Sequence, residues 1–119
     1  MYMTQPGKYF TVKEMTCRCG CGKVIFDPML RDKLDELRGL VGKPIYISSG
    51  YRCPEHNAYV GGVPNSYHTK GIAADIYVKD MMPKELARIA GEVGFDGIGL
   101  YKSFVHVDVR GYKARWDFR

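Results

Sequence analysis

Between Phe104 and Arg110 the chain alternates with a period of two. Val105, Val107 and Val109 take one side, and Phe104, His106, Asp108 and Arg110 take the other. Side chains along a β-strand point alternately to opposite faces. The segment therefore reads as a strand whose valine face joins a core, while its other face presents an imidazole, a carboxylate and a guanidinium together. If that second face is covered, its polar groups need partners, because burying them unpaired is costly. A hydrogen-bonded His106–Asp108 pair facing solvent accounts for the strand equally well, so this segment alone leaves both readings open.

A second strand narrows the choice. In Gly71–Val78 the positions Ile72, Ala74, Ile76 and Val78 are apolar, and Asp75 falls among the alternate ones. A lone carboxylate in mid-strand, surrounded by small and branched residues, needs a partner or a metal. His68 stands seven residues earlier, at the mouth of the same strand. A loop histidine, a strand aspartate and a second strand histidine can thus converge. Two imidazoles and one carboxylate form a zinc-ligand set that leaves the fourth tetrahedral position open, as a catalytic site requires.

The rest of the chain supplies a scaffold for these strands. Its 119 residues allow one domain, spanning 1–119. Residues 1–26 read as an irregular, Gly- and Cys-rich segment with a short apolar run at Val24–Phe26. Asp27 is a good N-cap and Pro28 suits the first helical position; Leu30, Leu34, Leu37 and Val41 follow at helical spacing, and Gly42 ends the helix. A strand follows at Ile45–Ser48. Residues 51–70 form a long polar loop holding one short helical turn, a length that is commonly functional. Pro83 opens a second helix with Leu86, Ile89, Ala90 and Val93 on one face, closed by Gly94. Strands near Ile98–Tyr101 and Phe104–Val109 then form a hairpin around Lys102-Ser103. The order predicts an α+β domain, with helices packed on a small, mostly antiparallel sheet.

Composition excludes several classes of function. No stretch approaches the roughly 20 apolar residues a membrane-spanning helix needs, so no membrane insertion is expected. The N-terminal MYMTQPGKYF has no apolar core of a leader, so no secretory signal is expected. The protein would then be cytoplasmic as synthesised, or leave by a route not written in this chain, such as lysis or assembly into a particle. The formal charge of +5 is scattered rather than clustered, which argues against nucleic acid as a partner. Residues 111–119, with Lys113, Arg115 and Arg119, read as a solvated basic tail. Nothing calls for an oligomer, and a monomer is expected.

Four cysteines are present: Cys17, Cys19 and Cys21 in a C-x-C-x-C run, and Cys53 in Tyr51-Arg52-Cys53-Pro54. They could be four thiolate ligands of a structural zinc, disulfides, or reduced buried thiols. The short spacing counts against zinc. The lack of a leader favours reduced thiols.

Three stretches, taken in order, carry a resemblance to a known family. They are Ser49-Gly50-Tyr51-Arg52-Cys53-Pro54-Glu55-His56-Asn57, then Ser66-x-His68-x-x-Gly71-x-Ala73-x-Asp75-Ile76, then Gly97-x-Gly99-x-Tyr101-x-x-Phe104-Val105-His106-Val107-Asp108. Together they resemble the M15 family of zinc D-Ala-D-Ala carboxypeptidases and related peptidoglycan endopeptidases. The similarity runs from about Phe10 to Arg110. It implies the hedgehog/DD-peptidase fold and one zinc ion on His68, Asp75 and His106, the residues already selected by strand geometry. It also implies peptidoglycan stem peptides as substrate, hydrolysed by zinc-activated water.

Within that resemblance Arg52 matches the arginine that contacts substrate, a role suited to a guanidinium fork. Many members place a Glu or Asp three residues before the last histidine ligand; here that position is Ser103. Asp108 is the replacement candidate, either as the general base or as a group that orients a ligand imidazole. His56 is a further candidate base, though beside Pro54 it reads more readily as a capping or surface residue. Tyr67, Tyr101 and Phe104 fit a substrate groove or ordinary packing alike. The alternative function is a non-catalytic zinc-containing module of the same fold that binds the cell wall.

Overall fold

A computed structural model of the chain describes residues 10, 15–22, 24–25, 27–62 and 66–119. Most of the N-terminal irregular segment, Phe26 of its apolar run, and Pro64 and Asn65 of the long loop lie outside the described residues. Helix α1 spans Pro28–Val41. The Asp27 side chain accepts from the Met29 N–H, and Gly42 closes the helix in the left-handed region. Strand β1 is Tyr46–Ser49, followed by the short helix α2 at Pro54–Tyr59. A 3₁₀ turn at Tyr67–Lys70 leads into β2, Ala73–Tyr77. Helix α3 is Pro83–Val93; β3 is Gly97–Leu100, β4 is Val105–Asp108 and β5 is Ala114–Asp117.

The strands form one sheet in the order β1-β2-β4-β3-β5. Every pairing is antiparallel except β3 with β5, which is parallel. The α+β architecture expected from the sequence is the one observed. The C-terminal segment is the correction. Residues 114–117 add an edge strand to β3 instead of forming a solvated tail. The basic charges misled because a four-residue edge strand exposes alternate positions, and Arg115 and Asp117 occupy them.

Helices α1 and α3 cover one face of the sheet. Leu30, Leu34 and Leu37 of α1 and Leu86, Ala90 and Val93 of α3 join Ile47, Ala74, Ile76, Ile98, Val105 and Val107 in a single core. Each fully buried leucine or valine contributes about 1.5–3 kcal/mol. Packing the helices on the valine face leaves the opposite face of the same strands available for the polar row. The long loop holds more structure than the one turn expected: α2 and the 3₁₀ turn both form within it.

Candidate metal and substrate site

Strand register builds the site. Ser49 pairs with Asp75, Asp75 with His106, His106 with Gly99, and Gly99 with Trp116. One cross-strand row thus runs over all five strands on the face away from the helices. The next row places Asp108 between Ala73 and Gly97. The two glycines leave room: a side chain at Gly97 would strike the Asp108 carboxylate, and one at Gly99 would strike the Trp116 indole.

His68 enters from the 3₁₀ turn. Gly71 ends that turn at φ 72°, in the left-handed region, and a β-carbon there would collide with the Ile25 carbonyl. The three sequence-selected residues do come together. Asp75 Oδ1 lies 3.2 Å from His68 Nε2 and 3.1 Å from His106 Nδ1. Ligand atoms of His68, Asp75 and His106 lie within 4.8 Å of one another, and all three residues are buried.

The outer nitrogens decide the chemistry of this group. His68 Nδ1 is 2.8 Å from the Gly50 carbonyl, which can only accept, so Nδ1 carries the proton. His106 Nε2 is 2.8 Å from Asp108 Oδ2, again an acceptor when ionised. In their neutral forms both rings therefore turn a lone pair toward the same carboxylate oxygen. Such a donor set repels itself unless a proton or a cation sits within it, and the set fits a divalent metal of the zinc type. Without a metal, a proton on His106 is the remedy. Burial lowers its pKa, but the hydrogen bonds to Asp108 and Asp75 outweigh that and raise it. Burial likewise works against ionised Asp75, yet hydrogen bonds and positive charge from the imidazoles, His106 first, hold it well below the usual carboxylate range once a proton sits within the set.

Asp108 is fully buried and its oxygens are crowded with donors. Oδ1 accepts from the Gly97 and Arg110 backbone N–H groups at 3.0 and 3.1 Å, and the Arg110 guanidinium reaches Oδ2 at 2.7 Å. Despite burial, hydrogen bonds and charge from His106 and the Arg110 guanidinium lower its pKa to about 2. Arg52 stands at the cleft side of Asp75, with Nη2 3.4 Å from Oδ2. Ser49 Oγ and Asn57 Oδ1 hold its other nitrogens at 3.1 and 3.2 Å.

Above the metal-type group opens a cleft of about 500 Å³, walled by Tyr67, Tyr101, Phe104, Arg110 and Trp116 among others. The three aromatics left open between groove and packing thus line the cleft. Sequence reasoning missed Trp116 and the role of Arg110. Trp116 tilts over His106 with ring centroids 5.2 Å apart and donates to the Tyr101 hydroxyl at 3.0 Å. The Arg110 guanidinium lies 4.5 Å from the Tyr67 ring centroid and 5.1 Å from that of Trp116. Its place on the His106 strand face was the available signal for Arg110; Trp116 had none, having been assigned to a tail. Ser103 is exposed in the hairpin turn and His56 stacks on Tyr59; neither lines the cleft.

Two imidazoles and a carboxylate converging beneath an open cleft of a two-layer α+β domain make a donor set that suits a divalent ion with one position left open. A family model described as Peptidase M15 matches residues 8–108, and the chain belongs to that family. It is similar to the protein named peptidoglycan L,D-endopeptidase MepK of Escherichia coli (strain K12), with 36% identity over 99 residues, covering 76% of this chain and 54% of that protein. The protein of the same name from Shigella flexneri gives the same figures. The chain spans about half the length of the curated relatives it matches.

Proposed function

We propose that this chain is a zinc-dependent metallopeptidase that hydrolyses peptide bonds in the stem peptides of bacterial peptidoglycan. The observation that carries the reading is the pair of imidazole nitrogens that meet one buried carboxylate oxygen, while the outer ring nitrogens face the Gly50 carbonyl and the Asp108 carboxylate. His68, Asp75 and His106 would hold the ion. Zinc bound there would polarise a scissile carbonyl and lower the pKa of water to about 7. Arg52, restrained by Ser49 and Asn57 at the cleft floor, offers its guanidinium to a substrate carbonyl or carboxylate. The aromatic walls bury the flanking peptide. Membership of the M15 family and likeness to proteins named as peptidoglycan endopeptidases support this substrate class, and favour an endopeptidase over a D-Ala-D-Ala carboxypeptidase.

Of the two roles open to Asp108, the geometry favours orientation. Its carboxylate has no exposed surface, and His106, Arg110 and two backbone N–H groups already engage it. It fixes the His106 ring and its tautomer, so that Nδ1 would be the nitrogen offered to an ion. The alternative, a non-catalytic zinc-containing wall-binding module, draws support from one observation: Asp75 is the only carboxylate among the described residues lining the cleft.

Mass spectrometry of a muropeptide digest separates the two. The peptidase reading expects new peptide termini, abolished by a chelator and restored by zinc. Zinc-loaded protein that releases nothing from walls of several chemotypes favours the binding module. His68→Ala and His106→Ala should each lose about one equivalent of zinc per chain; full zinc retention in both would end the ligand assignment.

A further inference from the structure

The four cysteines lie outside the site above, and no disulfide joins them. Their sulfurs nevertheless converge: Cys17 Sγ lies 3.5 Å from Cys19 Sγ and 3.7 Å from Cys53 Sγ, and Cys19 Sγ lies 3.6 Å from Cys53 Sγ. With Cys21, all four sulfurs fall within 4.8 Å of one another. We propose that Cys17, Cys19, Cys21 and Cys53 form a second, structural metal centre, a tetrathiolate site for zinc or a similarly soft divalent ion.

The spacing fits the ion. A tetrahedron with metal–sulfur bonds of about 2.3 Å has sulfur–sulfur edges of about 3.8 Å. A disulfide would instead draw two sulfurs to about 2.05 Å and leave the others apart. Here three sulfurs are nearly equidistant, which is the pattern of a shared ligand and not of a pair. Backbone N–H groups point at two of them, Cys53 N at Cys17 Sγ and His56 N at Cys53 Sγ, each at 3.4 Å. Such contacts orient and stabilise thiolate ligands.

The C-x-C-x-C spacing had argued against zinc, and the backbone removes that objection. In an extended chain the three side chains would sit about 6.6 Å apart along one face. Residues 18–19 form a turn and residues 20–21 a bend, and Gly20 adopts φ 89° with open space around it, so the run curls and its sulfurs meet. Cys17 and Cys53 are buried while Cys19 and Cys21 face solvent, which gives an ion a way in.

The centre has a definite mechanical task. Apart from it, the local packing is a small cluster of Cys17, Tyr51 and Cys53 with Ile25 against them. The Tyr51 N–H donates to the Met15 carbonyl at 2.9 Å, and Arg18 donates to the Ile47 carbonyl at 2.8 Å. The segment so fastened is 50–53, whose Gly50 carbonyl orients His68 and whose Arg52 faces Asp75. A metal on Cys53 thus braces two residues of the cleft without touching it.

The test replaces zinc by cobalt in the reduced His68→Ala protein, which removes the other site. Bound cobalt should show near-ultraviolet sulfur-to-cobalt charge transfer with strong visible bands of a tetrahedral centre, both erased by zinc. Cys19→Ser, at the exposed edge, should lose the cobalt equivalent. Wild-type protein should carry about two zinc ions per chain, and its thiols should react with an alkylating reagent only after chelation. A cobalt spectrum without sulfur charge transfer, or thiols that react at one rate with and without zinc, would overturn the proposal. Loss of peptidoglycan cleavage alone would bear on the other site and not on this one.

Discussion

Donors converge on the Asp108 carboxylate from His106, Gly97 and Arg110, and this crowding makes the residue a sensitive reporter. Its pKa falls from the ordinary 3.8 to about 2 in the folded protein. A carboxylate depressed on folding stabilises the native state above its unfolded value, and that contribution is lost as pH falls through the folded value. Asp108→Asn should therefore cost on the order of 2 kcal/mol near neutral pH. Urea midpoints of the chelated proteins should show that gap narrowing below about pH 4 and closing toward pH 2. As an orienting residue it should also weaken metal binding by roughly 10–100-fold, measured by competition with a chromophoric chelator. Full metal affinity with turnover abolished would instead mark Asp108 as the general base.

At the scale of elements, β5 converts a flat sheet edge into a walled cleft. Its parallel pairing with β3 sets Trp116 over Gly99, in the row that continues through His106 and Asp75. The indole closes one wall and ties to Tyr101, but supplies no metal ligand. Trp116→Ala should raise KM for muropeptides several-fold while metal content stays that of the wild type, as read by steady-state kinetics beside metal analysis. Zinc loss in this variant would show that β5 supports the ligand residues themselves. The two helices, by contrast, were legible from local signals alone. Asp27, Pro28 and Gly42 bracket α1, and Pro83 and Gly94 bracket α3, because caps act within a turn of the residue that makes them.

For the molecule as a whole, ions bound at the proposed centres and the fold would stabilise each other, because ligand sets assembled from distant segments exist only in the native state. Chelation should lower Tm by on the order of 10 °C, the shift expected when free zinc well above its Kd is withdrawn. Differential scanning calorimetry with and without chelator checks this, and an unchanged Tm would count against both centres. Period-two alternation, capping residues and motif order sufficed to determine the α+β class and the two long helices, and to single out His68, Asp75 and His106 as residues that converge. Those features are local, or repeat at the spacing that local geometry imposes. What only the tertiary structure decided is non-local. Strand register set Asp75 against His106, the Gly50 carbonyl and Asp108 chose the nitrogen each ring presents, the C-terminal residues found an edge to pair with, and turns drew Cys17, Cys19 and Cys21 onto Cys53. Each of these depends on which segments meet across the fold, and spacing along the chain carries no record of that.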